Sequence, residues 1–172
     1  MLRVALPEAR AGAVEVVGEI LPDDPILADA DWPLAAPIQA RGRFSSAGEG
    51  KFYWKVHLET TVRAECRRCL VTVEVPVEET LGLIFSADDD APEGEGCYRI
   101  PPRTQVLDLS DAVREEVFLA MPQFLECRPD CLGLCPRCGA NLNDGPCGCA
   151  PAAADPRWDA LRALRRPDPA TD

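Results

Sequence analysis

The sequence contains no apolar run of about eighteen residues, the length that a membrane-spanning helix requires. Its opening segment also has no apolar stretch of signal-peptide length. We therefore expect a soluble, cytoplasmic protein without membrane contact. At 172 residues the chain is long enough for one domain with a hydrophobic core and a small appendage, and too short for a large multidomain enzyme.

Catalytic motifs are equally scarce. Histidine occurs once, at His57 on the outward side of a predicted strand, and no Ser-His-Asp set can be assembled around it. The sequence has no glycine-rich phosphate loop and no pair of carboxylates that periodicity places in one cleft. We therefore expect a protein that is not an enzyme and has no small-molecule substrate.

Basic residues are fewer than acidic ones. The sequence has 18 Lys and Arg and 29 Asp and Glu, which gives a formal net charge of -11. This balance argues against a protein that coats nucleic acid through a global basic field. The charge is uneven, however, since residues 41–68 contain seven basic and three acidic residues. Part of the acidity lies in SADDDAPEGEG, residues 86–96, whose composition indicates a flexible, solvated loop.

Cysteine is abundant, and six of the nine cysteines stand between Cys127 and Cys149. An odd number of cysteines cannot all pair as disulfides, and a reducing compartment disfavours such pairing. The tight turn of Cys135-Pro-Arg-Cys138-Gly directs two thiolates at one ion, which is typical of a Zn(II) site. The candidate zinc ligands are Cys127, Cys131, Cys135, Cys138, Cys147 and Cys149.

The sequence leaves the pairing of these ligands open. Either the two cysteines before Cys135 and Cys138 or the two after them complete a four-sulfur site, and the leftover pair serves a second ion or remains as thiols. Adding Cys66 and Cys69 gives eight cysteines, enough for two sites, but nothing in the sequence brings that pair to the tail. The spacing that starts at Cys131 also matches radical S-adenosylmethionine iron-sulfur enzymes, which need a barrel of βα units that this chain does not predict.

Cys66-Arg-Arg-Cys69 has a second interpretation as a redox pair, because the flanking arginines would lower the thiol pKa. A thioredoxin-like site opens a helix after a strand, however, whereas this pair joins two predicted strands. A structural role or a second metal site is therefore favoured. Cys97 is isolated and is expected to be a small buried hydrophobe.

Alternating apolar and polar residues predict a sheet. The predicted strands are 13–20, 38–45, 52–63, 71–77 and 97–100. The second and third form one long hairpin, in which we expect Phe44 to pair with Phe52 across the turn. Pro76 cannot donate a ladder hydrogen bond, so its strand should lie at an edge or bulge there.

Helical spacing begins after Asp108, a predicted N-cap, and continues to Pro122. A shorter helix is predicted to follow Asp155, with Pro156 at its first position. The fold class is therefore α+β: an antiparallel sheet or small open barrel covered by a helix, with a Cys-rich, zinc-binding C-terminal tail and a short terminal helix. We assign residues 1–122 to the β-rich core domain and residues 123–172 to the metal-binding tail.

The outward face of the hairpin is basic. The expected register sets Arg43 opposite Tyr53 and Arg41 opposite Lys55, and like charges facing one another destabilise a sheet unless an anion or partner relieves them. This face is a candidate for RNA phosphate or an acidic protein region, and its alternative is a solvated strand face. The candidate contacts are Arg41, Arg43, Lys51, Tyr53, Lys55, Arg63, Arg67 and Arg68.

Four segments in this order resemble the bacterial YceD family, which also occurs in plastids and is named for accumulation of large-subunit ribosomal RNA. They are ECRRCL at 65–70, DLSDAVREEVFLAMP at 108–122, CRPDCLGLCPRCGANLN at 127–143 and DPRWDALRAL at 155–164. The resemblance points to Cys66 and Cys69, the cysteines of the tail, and Asp155, Pro156 and Arg157. It does not say which of these bind metal or RNA.

The resemblance implies a non-enzymatic role in ribosome biogenesis, supporting the maturation or accumulation of large-subunit ribosomal RNA. The expected partners are pre-ribosomal large-subunit RNA, ribosomal proteins or both, because the acidic bulk suits basic ribosomal proteins at least as well as RNA. Two alternatives remain: a thiol redox protein that uses Cys66 and Cys69, and a structural zinc adaptor for an unrelated partner.

Overall fold

The structure is a computed structural model, and it describes residues 2–28, 33–88, 96–122, 124–150 and 157. The chain divides into two compact units, Met1–Cys131 and Leu132–Asp172. The predicted division into a core domain of residues 1–122 and a metal-binding tail of residues 123–172 stays a prediction. No described helix is long and apolar enough to cross a membrane.

The first unit contains a five-stranded sheet, a two-stranded sheet and two α-helices within its described residues. In chain order the elements are β1 (Arg3–Ala5), α1 (Leu6–Ala11), β2 (Val14–Ile20), a 3-10 turn (Pro25–Leu27), β3 (Ile38–Gly48), β4 (Lys51–Glu65), β5 (Thr72–Ser86), β6 (Cys97–Arg99), β7 (Val106–Asp108) and α2 (Ser110–Ala120). The larger sheet has the order β2-β3-β4-β5-β6, and β1 pairs with β7. The predicted α+β class is confirmed; the pairing of β6 with β5 is parallel, and the other pairs are antiparallel.

One face of the larger sheet carries the core. The predicted alternation of the hairpin is confirmed, because Phe44, Trp54 and Val62 are fully buried and their neighbours in sequence are not. Phe44 stacks on Phe52 with ring centroids 5.4 Å apart. Both helices pack on this face, since Leu6 of α1 and Val113 of α2 belong to the same buried cluster.

The expected register of the hairpin is wrong by two residues. Phe44 pairs with Trp54 and not with Phe52, and Arg43 lies opposite Lys55. The reason is the turn: β3 continues to Gly48 and β4 begins at Lys51, with an irregularity in the pairing between Ser46 and Gly48. Phe44 and Phe52 are therefore diagonal neighbours, which is close enough for large rings to touch.

The predicted strand 71–77 is longer than the sequence indicated, because β5 pairs with β4 over its entire length. The edge position of Pro76 is confirmed: β6 pairs only with Ile84–Ser86, so the described residues leave the earlier part of β5 at the edge of the sheet. Ser86 belongs to β5, and residues 89–95 of the predicted acidic loop lie outside the described residues.

The predicted long helix is confirmed as α2, with a correction at its start. Asp108 is the last residue of β7, and Leu109 occupies the N-cap position without a capping side chain. Asp108 still serves the first turn, since its carboxylate accepts a hydrogen bond of 3.0 Å from the backbone N–H of Ser110. The predicted terminal helix after Asp155 lies, apart from Arg157, outside the described residues.

Substituting adjacent positions on the two faces of β3 should have opposite consequences. Phe44→Ala removes a fully buried ring that contacts two others, and we expect it to lower the free energy of unfolding by about 3–5 kcal/mol. Arg43→Ala, on the exposed face, should change it by less than about 0.5 kcal/mol. Urea denaturation measures both, and equal losses would contradict the assignment of the two faces.

Candidate metal centres

Four cysteines from two distant parts of the first unit meet in what we call the corner cluster: Cys66, Cys69, Cys127 and Cys131. Their Sγ atoms all lie within 4.8 Å of one another. The Sγ atoms of Cys66 and Cys131 are 3.8 Å apart, and those of Cys69 and Cys127 are 3.6 Å apart. Four thiolates at about 2.3 Å from one tetrahedral ion have sulfur atoms about 3.8 Å apart. The corner cluster therefore has the dimensions of a four-sulfur metal site.

The connection between β4 and β5 forms the first half of this cluster. The backbone N–H of Leu70 donates to the carbonyl of Cys66, and the N–H of Cys66 donates to the carbonyl of Val71, each at 2.9 Å. Leu70 has a positive φ of 59°, which a tight reversal of the chain requires. The turn places the sulfurs of Cys66 and Cys69 on the same side of the chain, within 4.8 Å of one another.

The second half is held against the first by the backbone. Arg67 donates its N–H to the carbonyl of Leu125 at 2.9 Å, which places the following Cys127 beside the turn. The N–H of Cys131 donates to the carbonyl of Arg128 at 3.1 Å, and this second turn brings the Cys131 sulfur back to the other three. Sequence analysis could not bring these segments together, because the contact depends on the path of the chain through β5, β6, β7 and α2.

Burial characterises the corner cluster as a closed site. Cys66 is 0%, Cys131 1% and Cys69 4% exposed, and Cys127 is half-buried. A metal ion held by four sulfurs at this depth has no position left for a substrate or an exchangeable water, which is the pattern of structural sites.

The second unit contains the other group, which we call the tail cluster: Cys135, Cys138, Cys147 and Cys149. Its Sγ atoms also lie within 4.8 Å of one another. Cys138 and Cys149 are exposed, Cys147 is half-buried and Cys135 is buried. This cluster is therefore more accessible to solvent than the corner cluster.

The sequence Cys135-Pro-Arg-Cys138-Gly folds locally into the predicted turn. The N–H of Gly139 donates to the carbonyl of Cys135 at 2.9 Å, and the N–H of Arg137 lies 3.5 Å from the Cys135 Sγ. Gly139 has a φ of 72°, a conformation that side chains rarely adopt. Glycine is thus required where the turn ends, and the two thiolates point the same way.

Polar contacts replace a core in the second unit. The Asn143 side-chain oxygen accepts from the N–H of Leu132 at 2.8 Å, and Asn141 accepts from the N–H of Asn143 at 3.1 Å. Among the described residues of this unit only Gly133 and Cys135 are buried. So little burial supplies almost no hydrophobic stabilisation. Hydrophobic burial therefore does not account for the order of the described part of this unit.

Electrostatics in each cluster favour one thiolate. Hydrogen bonds from the backbone N–H groups of Cys138 and Arg137 lower the pKa of the Cys135 thiol to about 6. At Cys66 burial raises the pKa, but hydrogen bonds from backbone N–H groups, led by that of Cys127, outweigh it and lower the pKa to about 6. These thiols are thus prepared to act as anionic ligands.

Further ionisation is opposed by crowding. Burial and the Cys131 side chain raise the pKa of Cys127 to about 12. In the tail cluster the side chains of Cys138 and Cys147 raise the pKa of Cys149 to about 12. Four thiolates this close repel one another, and a bound cation reverses that repulsion. Both clusters could hold a metal ion.

This grouping answers the ligand question that the sequence left open. The pair after Cys135 and Cys138 joins them, and the pair before them joins Cys66 and Cys69. The iron-sulfur spacing is divided, because Cys131 lies in the corner cluster. Cys97 belongs to neither cluster and is half-buried in β6.

The predicted basic contacts fall into two groups. Three of them form ion pairs that sequence analysis missed: Arg41 with Glu59 at 3.4 Å, Arg63 with Glu74 at 3.0 Å, and Arg67 with Glu126, whose Oε1 lies 3.0 Å from the Arg67 Nε. The acidic partners were visible in the sequence, but their positions beside the arginines follow from the strand pairing for Glu59 and Glu74, and from the segment at Leu125 that lies against the turn for Glu126. The other predicted contacts are exposed: Arg43, Lys51, Tyr53, Lys55 and Arg68.

Residues 54–165, which include all eight cysteines of the two clusters, match the family model described as large ribosomal RNA subunit accumulation protein YceD. An uncharacterised protein of Mycobacterium tuberculosis is 35% identical over 73% of this chain and 61% of its own length. The large ribosomal RNA subunit accumulation protein YCED homolog 1, chloroplastic, of Arabidopsis thaliana is 29% identical over 78% of this chain and 50% of its own length.

The protein of the same description from Zea mays is 32% identical over 55% of this chain and 42% of its own length. The chain thus spans about three-fifths of the mycobacterial relative and half or less of the two plant relatives. No solved structure matches it.

Single cysteine substitutions should separate the two clusters. Reconstituted with Co(II), whose visible absorption reports tetrahedral thiolate coordination, the full chain should bind two ions. Cys69→Ser and Cys138→Ser should each retain one, because each breaks one set of ligands. The matched control, Cys97→Ser, should retain two. Native mass spectrometry counts the ions, and loss of both from either single variant would contradict two independent sites.

Proposed function

The chain belongs to the YceD family of large ribosomal RNA subunit accumulation proteins, and from that premise we propose that it is a non-enzymatic ribosome biogenesis factor. It supports the maturation or accumulation of large-subunit ribosomal RNA. The observation that carries this proposal is the family match over residues 54–165, which spans both cysteine clusters, most of β4 and all of β5 and β6. The names of the plant relatives support it, since both refer to accumulation of that RNA.

Zinc is the metal that the donor sets favour. Each cluster offers four sulfurs and, among the described residues, no histidine or carboxylate completes it. Zinc accepts tetrahedral four-sulfur coordination without redox change, and such sites are structural. In the tail cluster the ion contributes the folding energy that the missing core does not provide.

A non-enzymatic role agrees with this chemistry. Four sulfurs would complete the tetrahedral coordination of an ion in each cluster, which would leave no open position of the kind that catalytic zinc requires. An ion in the corner cluster would also occupy the thiolates of Cys66 and Cys69, which a redox pair needs free. The ions therefore serve as supports for the surfaces around them.

The partners are pre-ribosomal large-subunit RNA, ribosomal proteins or both. A net charge of -11 suits basic ribosomal proteins. RNA binding then has to be confined to a local surface, because the chain as a whole repels phosphate. We place this activity in the cytoplasm, whereas the names of the plant relatives place those proteins in chloroplasts.

Deleting the gene should lower the ratio of large- to small-subunit ribosomal RNA, and expression of the unaltered chain should restore it. Cys69→Ser and Cys138→Ser should restore it less well, because each removes one metal-supported element. Cys97→Ser, outside both clusters, should restore it fully. Electrophoresis of total RNA measures the ratio. An unchanged ratio after deletion would sink the proposal.

Removing zinc should affect the tail before the sheet. A chelator should make residues 132–150 sensitive to limited proteolysis, since the described part of this unit contains almost no buried side chain. The strand signal in circular dichroism should persist, because the core of the first unit is built from β2–β5 and both helices. A tail that resists protease at full zinc removal, confirmed by metal analysis, would contradict this role for the ion.

A further inference from the structure

The larger sheet has an open face opposite the helices. On β3, β4 and β5 the side chains of Arg43, Lys55 and Ile84 point away from the core and are exposed. We define the open face by these outward positions of the four antiparallel strands, β2 to β5. Within the described part of the first unit, its outward residues Arg43, Tyr53 and Lys55 are exposed.

Charge divides this face along the strands. At one end Arg43 of β3 lies directly opposite Lys55 of β4, and Lys51 follows on the same side of β4. Further along the strands, Glu19 of β2, Glu59 of β4 and Glu78 of β5 form a row of exposed acids across four strands, with Gln39 of β3 between the first two. The face thus has a basic half and an acidic half, which the net charge of the chain does not reveal.

The basic half keeps its charge uncompensated. Arg41, between the halves, is paired with Glu59. Glu15 lies opposite Arg43 on β2, yet within the described chain neither Arg43 nor Lys55 forms an ion pair. Two cations side by side on paired strands repel one another unless an anion lies between them.

Tyr53 adds an aromatic surface beside these cations. An added Cβ at Gly82 would lie 2.3 Å from the Tyr53 hydroxyl oxygen and 2.9 Å from two ring carbons, so the ring leans over this glycine against the strand. Lys55 lies directly opposite Gly82, and Ile84 lies opposite Tyr53. Tyr53 and Ile84 are each 41% exposed. A side chain at position 82 would lift the ring away.

We propose that the basic half of the open face binds single-stranded RNA. One base stacks on Tyr53, with Ile84 at its edge, and the adjoining phosphates lie between Arg43 and Lys55. This inference rests on the proposed function and deepens it by naming the RNA-contacting surface.

An exposed aromatic ring beside paired cations matches the two requirements of single-strand binding, a stacking surface and a charged track. An acidic peptide would satisfy the cations but would leave Tyr53 unused. A duplex keeps its bases stacked on one another and offers none to the ring. The acidic half repels phosphate, so the bound strand is short and its path is confined to one end of the sheet.

Fluorescence anisotropy with a labelled, unstructured RNA oligonucleotide and the zinc-loaded full chain tests this inference. Tyr53→Ala should weaken binding by roughly tenfold, the usual effect of losing one stacked base. Arg43→Gln and Lys55→Gln should each weaken binding and reduce the slope of log affinity against log salt by about 0.7, as expected for one lost phosphate contact on a single strand.

The control is Arg3→Gln, an exposed arginine of β1 in the other sheet, which carries the same change in charge. It should leave affinity and salt slope unchanged. Circular dichroism and zinc content should be the same for all variants. Three outcomes would each overturn the proposal. Arg3→Gln weakens RNA binding as much as the other variants do, Tyr53→Ala leaves the RNA affinity unchanged, or the protein binds poly-glutamate and not RNA.

Cellular RNA ratios distinguish failure of this inference from failure of the proposed function. Suppose that deletion of the gene lowers large-subunit RNA, but the double variant Tyr53→Ala, Lys55→Gln supports normal accumulation and RNA cross-linking. The proposed RNA-binding surface is then contradicted, and the proposed function is not. If the purified variants lose RNA binding as expected while deletion leaves the RNA ratio unchanged, the proposed RNA-binding surface is supported and the proposed function is contradicted.

Discussion

The pairing of β4 with β5 over fifteen residues is the constraint on which the corner cluster and the basic half of the open face both depend. At one end the two strands are joined by the turn that carries Cys66 and Cys69. At the other end the same ladder sets Lys55 beside Gly82 and leaves room for the Tyr53 ring. A shift of one residue in this register would turn every inward side chain outward. Burial of the inward face therefore fixes the positions of the cysteine turn and of the residues around Tyr53.

The sequence predicted what is local and periodic. Alternation identified the inward residues of β3 and β4, and helical spacing identified α2. Both were recognised because an element with one buried face carries apolar residues at the period of its structure. The turn at Cys135 and Cys138 was equally local. The short β1, α1 and β7 were missed, since three to six residues carry too little periodicity to be recognised.

What depends on distant contacts could not be predicted. The hairpin register was wrong because the irregularity at Ser46 and Gly48 leaves no pattern in composition. For the same reason Arg41 was counted as a free cation, although Glu59 neutralises it. The proximity of Cys66 and Cys131 depends on the path of the whole first unit. The sequence showed only that eight cysteines are enough for two four-sulfur sites.

The two clusters differ in how far apart their ligands lie along the chain. Cys66 and Cys131 are 65 residues apart, and Cys69 and Cys127 are 58 apart, whereas the tail ligands come from one short stretch. An ion in the tail can be captured as soon as that stretch leaves the ribosome. An ion in the corner cluster would close a long loop, and it could bind only after the sheet has formed. It would then act as a cross-link against unfolding, of the kind that disulfides provide in secreted proteins.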